Sequence, residues 1–179
     1  PLTHVCNATF LTGVVPDQFK IAKAVPVFKS GDSSLPINYR PISLLSSFSK
    51  ILEKLTYNKM VSFIKKYGIL SDCQFGFREG YGTEDVLQSL SHYVTGNMDR
   101  GVDTIGLFID VSKAFDSVVH SKLIEKLKSY GFCYELIIWI CEFLRDRKQR
   151  VKITSQLSKL SSVISGIPQG SVIGTLLYL

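Results

Sequence analysis

The stretch "IGLFIDVSKAFDSV", residues 105–118, decides how the rest of the chain is read: an apolar run ends on an acid, Asp110, and a second carboxylate, Asp116, follows six residues later. Ile105, Leu107, Phe108 and Ile109 predict a strand buried on both faces, with Asp110 at the carboxyl end of the sheet, where backbone pairing stops. A bare acid at such a point is costly unless it is solvated, hydrogen-bonded or bound to a cation. A hard divalent ion such as Mg²⁺ suits it, because that ion takes carboxylate and carbonyl oxygens and keeps positions open for phosphate. An ordinary alternative is that Asp110 caps the next turn with its own side chain. Asp116, in the turn before the next helix, reads as a structural hydrogen-bond acceptor rather than a second ligand. Phe115 reads either as core or as a wall beside a bound ligand.

Outward from this stretch, helices dominate. Phe48, Ile51, Leu52, Leu55, Met60, Phe63 and Ile64 recur at helical spacing and predict a helix over 46–67, stopped by Gly68. After the glycine-rich "SDCQFGFREGYGTED", Thr83 is the expected cap of a second helix, with Glu84 and Asp85 in its first turn and a buried stripe of Val86, Leu87, Leu90, Tyr93, Val94 and Met98. A helix over 121–130 stops at Gly131. Another, over 134–148, buries Leu136, Ile137, Trp139, Ile140, Phe143 and Leu144. "QRVKIT" and "LSSVIS" predict a hairpin, and "GIPQGS" leads into an apolar helix. Residues 1–40, broken by Pro16, Pro26, Gly31 and Pro36, read as loops and edge strands. The expected class is α+β, with helices packed on a small antiparallel sheet.

Composition narrows the function. With 179 residues, 45% hydrophobic, and a mean hydropathy of +0.17, the chain can bury one core. No apolar run approaches the roughly 18 residues that cross a bilayer, and the signal-peptide layout is absent, so an intracellular protein without membrane partners is expected. Cys6, Cys73, Cys133 and Cys141 lack zinc or disulfide spacing. The formal charge of +6 favours a polyanionic partner. "RDRKQRVK", residues 145–152, holds five cations around one acid, and Lys50, Lys54, Lys59, Lys65 and Lys66 share the first long helix. Both ends of the chain read as cuts, since it opens on Pro1 and closes on the apolar "GTLLYL".

Four blocks in order, "NYRPISLLSSFSKILEK", "QFGFREGYGTED", "FIDVSKAFDSV" and "SGIPQGSVIGTLLYL", preceded by "VPDQFKIAKAVPVFKSGD", closely resemble the reverse transcriptase domain of non-LTR (LINE-type) retrotransposons. The resemblance implies a right-hand polymerase fold, truncated at its carboxyl end. Residues 1–104 would form an amino-terminal extension and fingers, and 105–179 the first part of the palm. It implies Asp110 as the first metal-binding aspartate, with the carbonyl of Val111 as a further ligand for one of two Mg²⁺ ions. Phe115 takes the place of the bulky residue that screens the sugar 2′ position. Arg40 matches a fingers arginine that holds the incoming triphosphate, with Lys29 as its companion, and Arg78 is a template or fingers contact. Gln169 lies near the nascent base pair, while Gly166 and Gly170 let backbone approach nucleic acid. RNA template, DNA primer and dNTP are the implied partners, and the nucleus the implied place of action.

Thr175 departs from the family's usual proline, which bears on the helix start more than on chemistry. The family's second acidic block, an aromatic-Ala-Asp-Asp turn, is not in these residues, so they are not expected to polymerise alone. Two other readings stand beside this one: from a different class, a catalytically dead remnant that binds nucleic acid, and, from the same class, a related polymerase, either a group II intron-type maturase or an RNA-directed RNA polymerase. Phe115 speaks against the use of ribonucleotides.

Overall fold

The computed structural model describes residues 1–179. Six helices, α1 (Leu2–Thr12), α2 (Ser47–Tyr67), α3 (Thr83–Met98), α4 (His120–Ser129), α5 (Tyr134–Leu144) and α6 (Gly174–Tyr178), accompany five strands. The strands are β1 (Ile21–Phe28), β2 (Tyr39–Leu44), β3 (Lys148–Ile153), β4 (Gln156–Leu157) and β5 (Ser161–Ser162). No helix is long and apolar enough to cross a membrane.

The sheet is mixed, not antiparallel. Its order is β2-β1-β3-β4, with β5 also on β3. The hairpin expected of "QRVKIT" and "LSSVIS" forms, with Gln149 opposite Ser161 in β3–β5, and β1–β2 is a second antiparallel hairpin that was not expected, with Val27 opposite Arg40. The seam between the hairpins is parallel, with Ile21 beside Lys148 and Ala24 beside Val151. A long helical excursion brings the chain back to the same end of the sheet, which sequence spacing within each hairpin does not reveal.

β1 therefore lies inside the sheet, and residues 2–12 form a helix, where loops and edge strands were expected. Pro26 is tolerated because the β1–β2 ladder alternates. The Lys29 amide donates to the Asn38 carbonyl at 2.8 Å, so the facing pair Pro26 and Pro41 falls at a position where neither nitrogen is needed by the other strand. On its other side β1 pairs with β3 only as far as Ala24. Helix α1 carries no side-chain cap and gains its support from docking on α5, where Phe10 and Trp139 meet at 5.6 Å between ring centres.

The core forms around α5. Trp139 and Ile140 are fully buried, Phe143 stacks on Trp139 at 5.4 Å, and Met60, Leu52, Ile173 and Leu177 close the cluster. Helix α2 ends as the sequence predicts: Gly68 adopts φ 58° and its amide donates to the Ile64 carbonyl. α5 stops at Leu144, short of Lys148, because Asp146 turns left-handed at φ 52° and releases the chain into β3.

Two expectations fail together. Residues 102–111 belong to no strand, and Ile105, Leu107, Phe108 and Ile109 are each more than 80% exposed. The α3 stripe is also exposed at Val86, Leu87, Leu90, Tyr93 and Met98, with only Val94 half-buried. The pattern reports that these side chains favour burial, but none of the five strands pairs with this segment. The α3 cap also shifts by one residue: the Gly82 amide, not Thr83, is held by the Asp85 carboxylate at 2.6 Å.

Candidate nucleotidyl-transfer site

The loop Ser165–Ile173 holds the candidate site together. At its start, the Gly166 amide donates to the Val118 carbonyl and the Ile167 amide to the Phe115 carbonyl, both at 2.9 Å. A His120 ring nitrogen meets the Gly166 carbonyl at 2.7 Å. In the middle, the Gln169 carbonyl accepts the Ser43 amide at 2.7 Å. One short loop thus joins the turn that follows Asp110 to β2, the strand that carries Arg40.

Two glycines make this possible. Gly166 has φ +81°, and a Cβ there would lie 2.7 Å from the Asp116 Cα and 2.9 Å from the Phe115 carbonyl oxygen. At Gly170, φ is +104° and the Ser43 carbonyl oxygen would be 3.1 Å away. At both positions the protein's own backbone comes close enough to leave no room for a side chain.

The turn after Asp110 is built from Lys113 at φ 51°, whose carbonyl accepts the amides of Asp116 and Ser117 at 2.9 and 3.1 Å. A non-glycine residue in this region stores about 1–2 kcal/mol of strain, held here by the docked loop. Asp116 is exposed, and its backbone makes the loop contacts: its carbonyl accepts the Ser165 hydroxyl at 3.4 Å. Phe115 is half-buried, tilted on Tyr178 at 5.2 Å and edge-on to Phe77 at 6.3 Å.

Asp110 and Val111 lie in the exposed segment before this turn. Their carboxylate and carbonyl oxygens are hard donors of the kind Mg²⁺ prefers. No group of three or more His, Cys, Asp or Glu side chains converges in the structure. The donor chemistry fits one arm of a magnesium site, and further ligands must come from substrate, water or other carboxylates.

Two cavities share Pro41 and Asp116. One of about 280 Å³ is lined by Pro41, Ser43, Asp116, Gly166, Gln169 and Arg147. The other, about 540 Å³, lies over the sheet between Ala24, Pro26, Tyr39, Pro41, Lys113 and Asp116. Asp110 lines neither. Arg40 and Lys29 are exposed near the β1–β2 turn. Arg78 is engaged within its own loop, donating to the Ser71 carbonyl at 3.2 Å and lying 4.5 Å over the Tyr81 ring.

The basic cluster loses one member: Arg147 is 2% exposed, and its Nη1 donates to the Phe143 carbonyl at 2.8 Å. Burial pulls its guanidinium down to about 10, against the opposing influence of the Glu53 charge. Glu53 is fully buried, accepts the Val172 amide on Oε2 at 2.6 Å and the Ser49 hydroxyl on Oε1 at 3.1 Å, and is pushed above 4.5 chiefly by desolvation. Sequence reasoning passed over Glu53, although it shares the face of α2 that buries Ser49, Leu52, Thr56 and Met60. An acid on an apolar stripe was the available signal.

Comparison with known proteins gives the family. Residues 27–179 match the family described as reverse transcriptase (RNA-dependent DNA polymerase). The chain belongs to the reverse transcriptase family. Its relatives in Drosophila melanogaster include the probable RNA-directed DNA polymerase from transposon BS, 36% identical over 99% of this chain and 20% of that protein. Another is the RNA-directed DNA polymerase from mobile element jockey, 32% identical over 99% of this chain and 19% of that protein. A third is the putative 115 kDa protein of type-1 retrotransposable element R1DM, 30% identical over 93% and 16%. Within the family the domain is therefore of the non-LTR, LINE type. The chain spans about a fifth of the length of the first two of these relatives.

Proposed function

We propose that this domain supplies the fingers and the first part of the palm of an RNA-directed DNA polymerase, with residues 1–104 and 105–179 as those two parts. The supporting observation is the Ser165–Ile173 loop, which ties the turn after Asp110 to the strand of Arg40 through main-chain hydrogen bonds. In this reading Asp110 and the Val111 carbonyl hold Mg²⁺, which neutralises the triphosphate and favours ionisation of the primer hydroxyl. Arg40 and Lys29 bind triphosphate oxygens, Arg40 through its planar fork. Phe115, wedged between Phe77 and Tyr178, fills the space beneath the sugar and excludes a 2′ hydroxyl. Gln169 sits against the nascent pair, and Gly166 and Gly170 set its height through the protein's own backbone.

The exposed lysines of α2 and the outward members of the 145–152 cluster meet phosphates of the template and primer. Arg78 reaches the template by leaving its Tyr81 contact. The bare run 105–109 and the α3 stripe are covered in the complete protein by palm residues outside this segment, including the second acidic block.

The test is extension of a DNA primer on an RNA template by the full-length protein. Wild-type protein incorporates dNTPs and rejects ribonucleotides, and Phe115→Ala accepts ribonucleotides at least about tenfold better. A full-length protein that binds primer-template in a salt-sensitive way yet never extends it supports a catalytically dead binding module instead.

A further inference from the structure

Glu53 is the only acid among the buried residues, and the amide it holds lies 119 positions away in the chain. Burial of its carboxylate is opposed by the amides of Val172 and Ile173, the Ser49 hydroxyl and the charge of Arg147. Arg147 rests on the Phe143 ring at 4.6 Å, and its Nη2 has no partner. Two buried charges, one from α2 and one from the α5–β3 junction, thus lie behind a single loop.

Stability does not explain them. Glu53 and Arg147 each have their own hydrogen-bond partners and do not meet in a salt bridge, buried charges are commonly matched or exceeded in stability by apolar residues of the same volume, and the α2 face around Glu53 already holds Leu52 and Met60. A methionine at 53 would continue that stripe. What it cannot do is accept the amides at the end of the Ser165–Ile173 loop. With the start of that loop bound to the Phe115 turn and its middle bound to Ser43, the Glu53 contact is the third attachment point, and it limits how far Gln169 can rise or tilt.

We infer that Glu53 is a positioning residue for nucleotide selection. It fixes the carboxyl end of the loop, and through it Gln169, against β2 and the Phe115 turn. The inference rests on the polymerase reading above and adds to it a residue remote from the substrate.

The test uses the full-length protein with two variants, Glu53→Gln and the pair Glu53→Met with Arg147→Met. Three quantities are measured: the thermal midpoint, amide exchange across residues 166–173, and the equilibrium affinity for dNTP on a primer-template ended by a dideoxynucleotide. The double variant is expected to keep its midpoint within a few degrees of wild type, because removing two buried charges offsets the unpaired Val172 amide, while its loop amides exchange about tenfold faster and dNTP affinity falls about tenfold. Glu53→Gln keeps one acceptor oxygen and falls between the two. Loop protection and dNTP affinity at the wild-type level in both variants overturn the inference. So does wild-type loop exchange and dNTP affinity in the double variant alone, which is the signature of two charges with a merely structural role. A wild-type protein that binds no dNTP overturns the polymerase reading, and the exchange measurement still decides whether Glu53 anchors the loop.

Discussion

Replacing Gly166 with alanine places a methyl group 2.7 Å from the Asp116 Cα and 2.9 Å from two carbonyl oxygens. All three atoms are main chain, so no side chain can rotate aside. The residue also sits at φ +81°, which costs an L-amino acid about 1–2 kcal/mol. Displacing packed backbone adds about 1–3 kcal/mol. The sum is about 2–5 kcal/mol. Gly131 offers an internal control, because its φ of +78° is nearly the same but nothing lies within 4 Å of a Cβ there. Gly131→Ala therefore carries only the conformational cost, and the gap between the variants isolates the contact. For a chain of this length each kcal/mol shifts the thermal midpoint by about 2–4 °C, so Gly166→Ala melts several degrees below Gly131→Ala. Calorimetry or circular dichroism on both variants reads the gap directly. Equal midpoints refute the docking of the loop onto the Asp116 turn, and with it the geometry on which the candidate site rests.

Further outcomes follow from burial and charge. Trp139→Ala destabilises by about 3–5 kcal/mol in urea titration, whereas Trp139→Phe costs much less, because it keeps a ring on Phe10 and Phe143 and removes a buried indole N–H that has no partner. Glu53 is held above 4.5 in the fold, so from pH 4.5 upward to its folded value the native state binds more protons than the unfolded chain, and the stability it contributes falls as pH rises. Glu53→Gln cannot titrate; the midpoint of wild type minus that of the variant shrinks as pH rises above 4.5, and a difference that grows with pH contradicts the upward shift. Phe108→Ser changes the stability of this 179-residue domain by less than about 0.5 kcal/mol, because the ring is 86% exposed, yet it destabilises the full-length protein, where the segment is covered. Equal effects in the two contexts would rule out that covering.

Much of the helical frame was legible from spacing alone. In α4 and α5 the apolar residues recur at the helical period and local pattern and tertiary burial agree, whereas in α2 the period and the Gly68 stop hold but Phe48, Ile51 and Leu55 are exposed and the buried face runs through Ser49, Leu52, Glu53, Thr56 and Met60. Helix α1 was not legible, since its support comes from Trp139, more than a hundred residues away. The parallel seam between β1 and β3 was hidden for the same reason: a hairpin's own sequence says nothing about its neighbour. The run 105–109 marks residues that favour burial without naming what buries them. Arg147 shows the limit of counting charges, because the same cluster that signals a phosphate surface contains one cation turned into the core. Asp110, Phe115 and the "SGIPQGS" loop were singled out by residue order. That the two glycines serve contacts within the protein, and that Glu53 stands behind the loop, depends on distances no linear pattern carries.

The most direct measurement is RNA-templated primer extension by the full-length protein and its Asp110→Asn variant, across a Mg²⁺ titration. With Asp110 as a metal seat, the variant loses at least about a hundredfold in rate at any Mg²⁺ concentration while binding primer-template as tightly as wild type. Equal extension by the two proteins contradicts that role and returns Asp110 to an ordinary solvated acid at the edge of a turn.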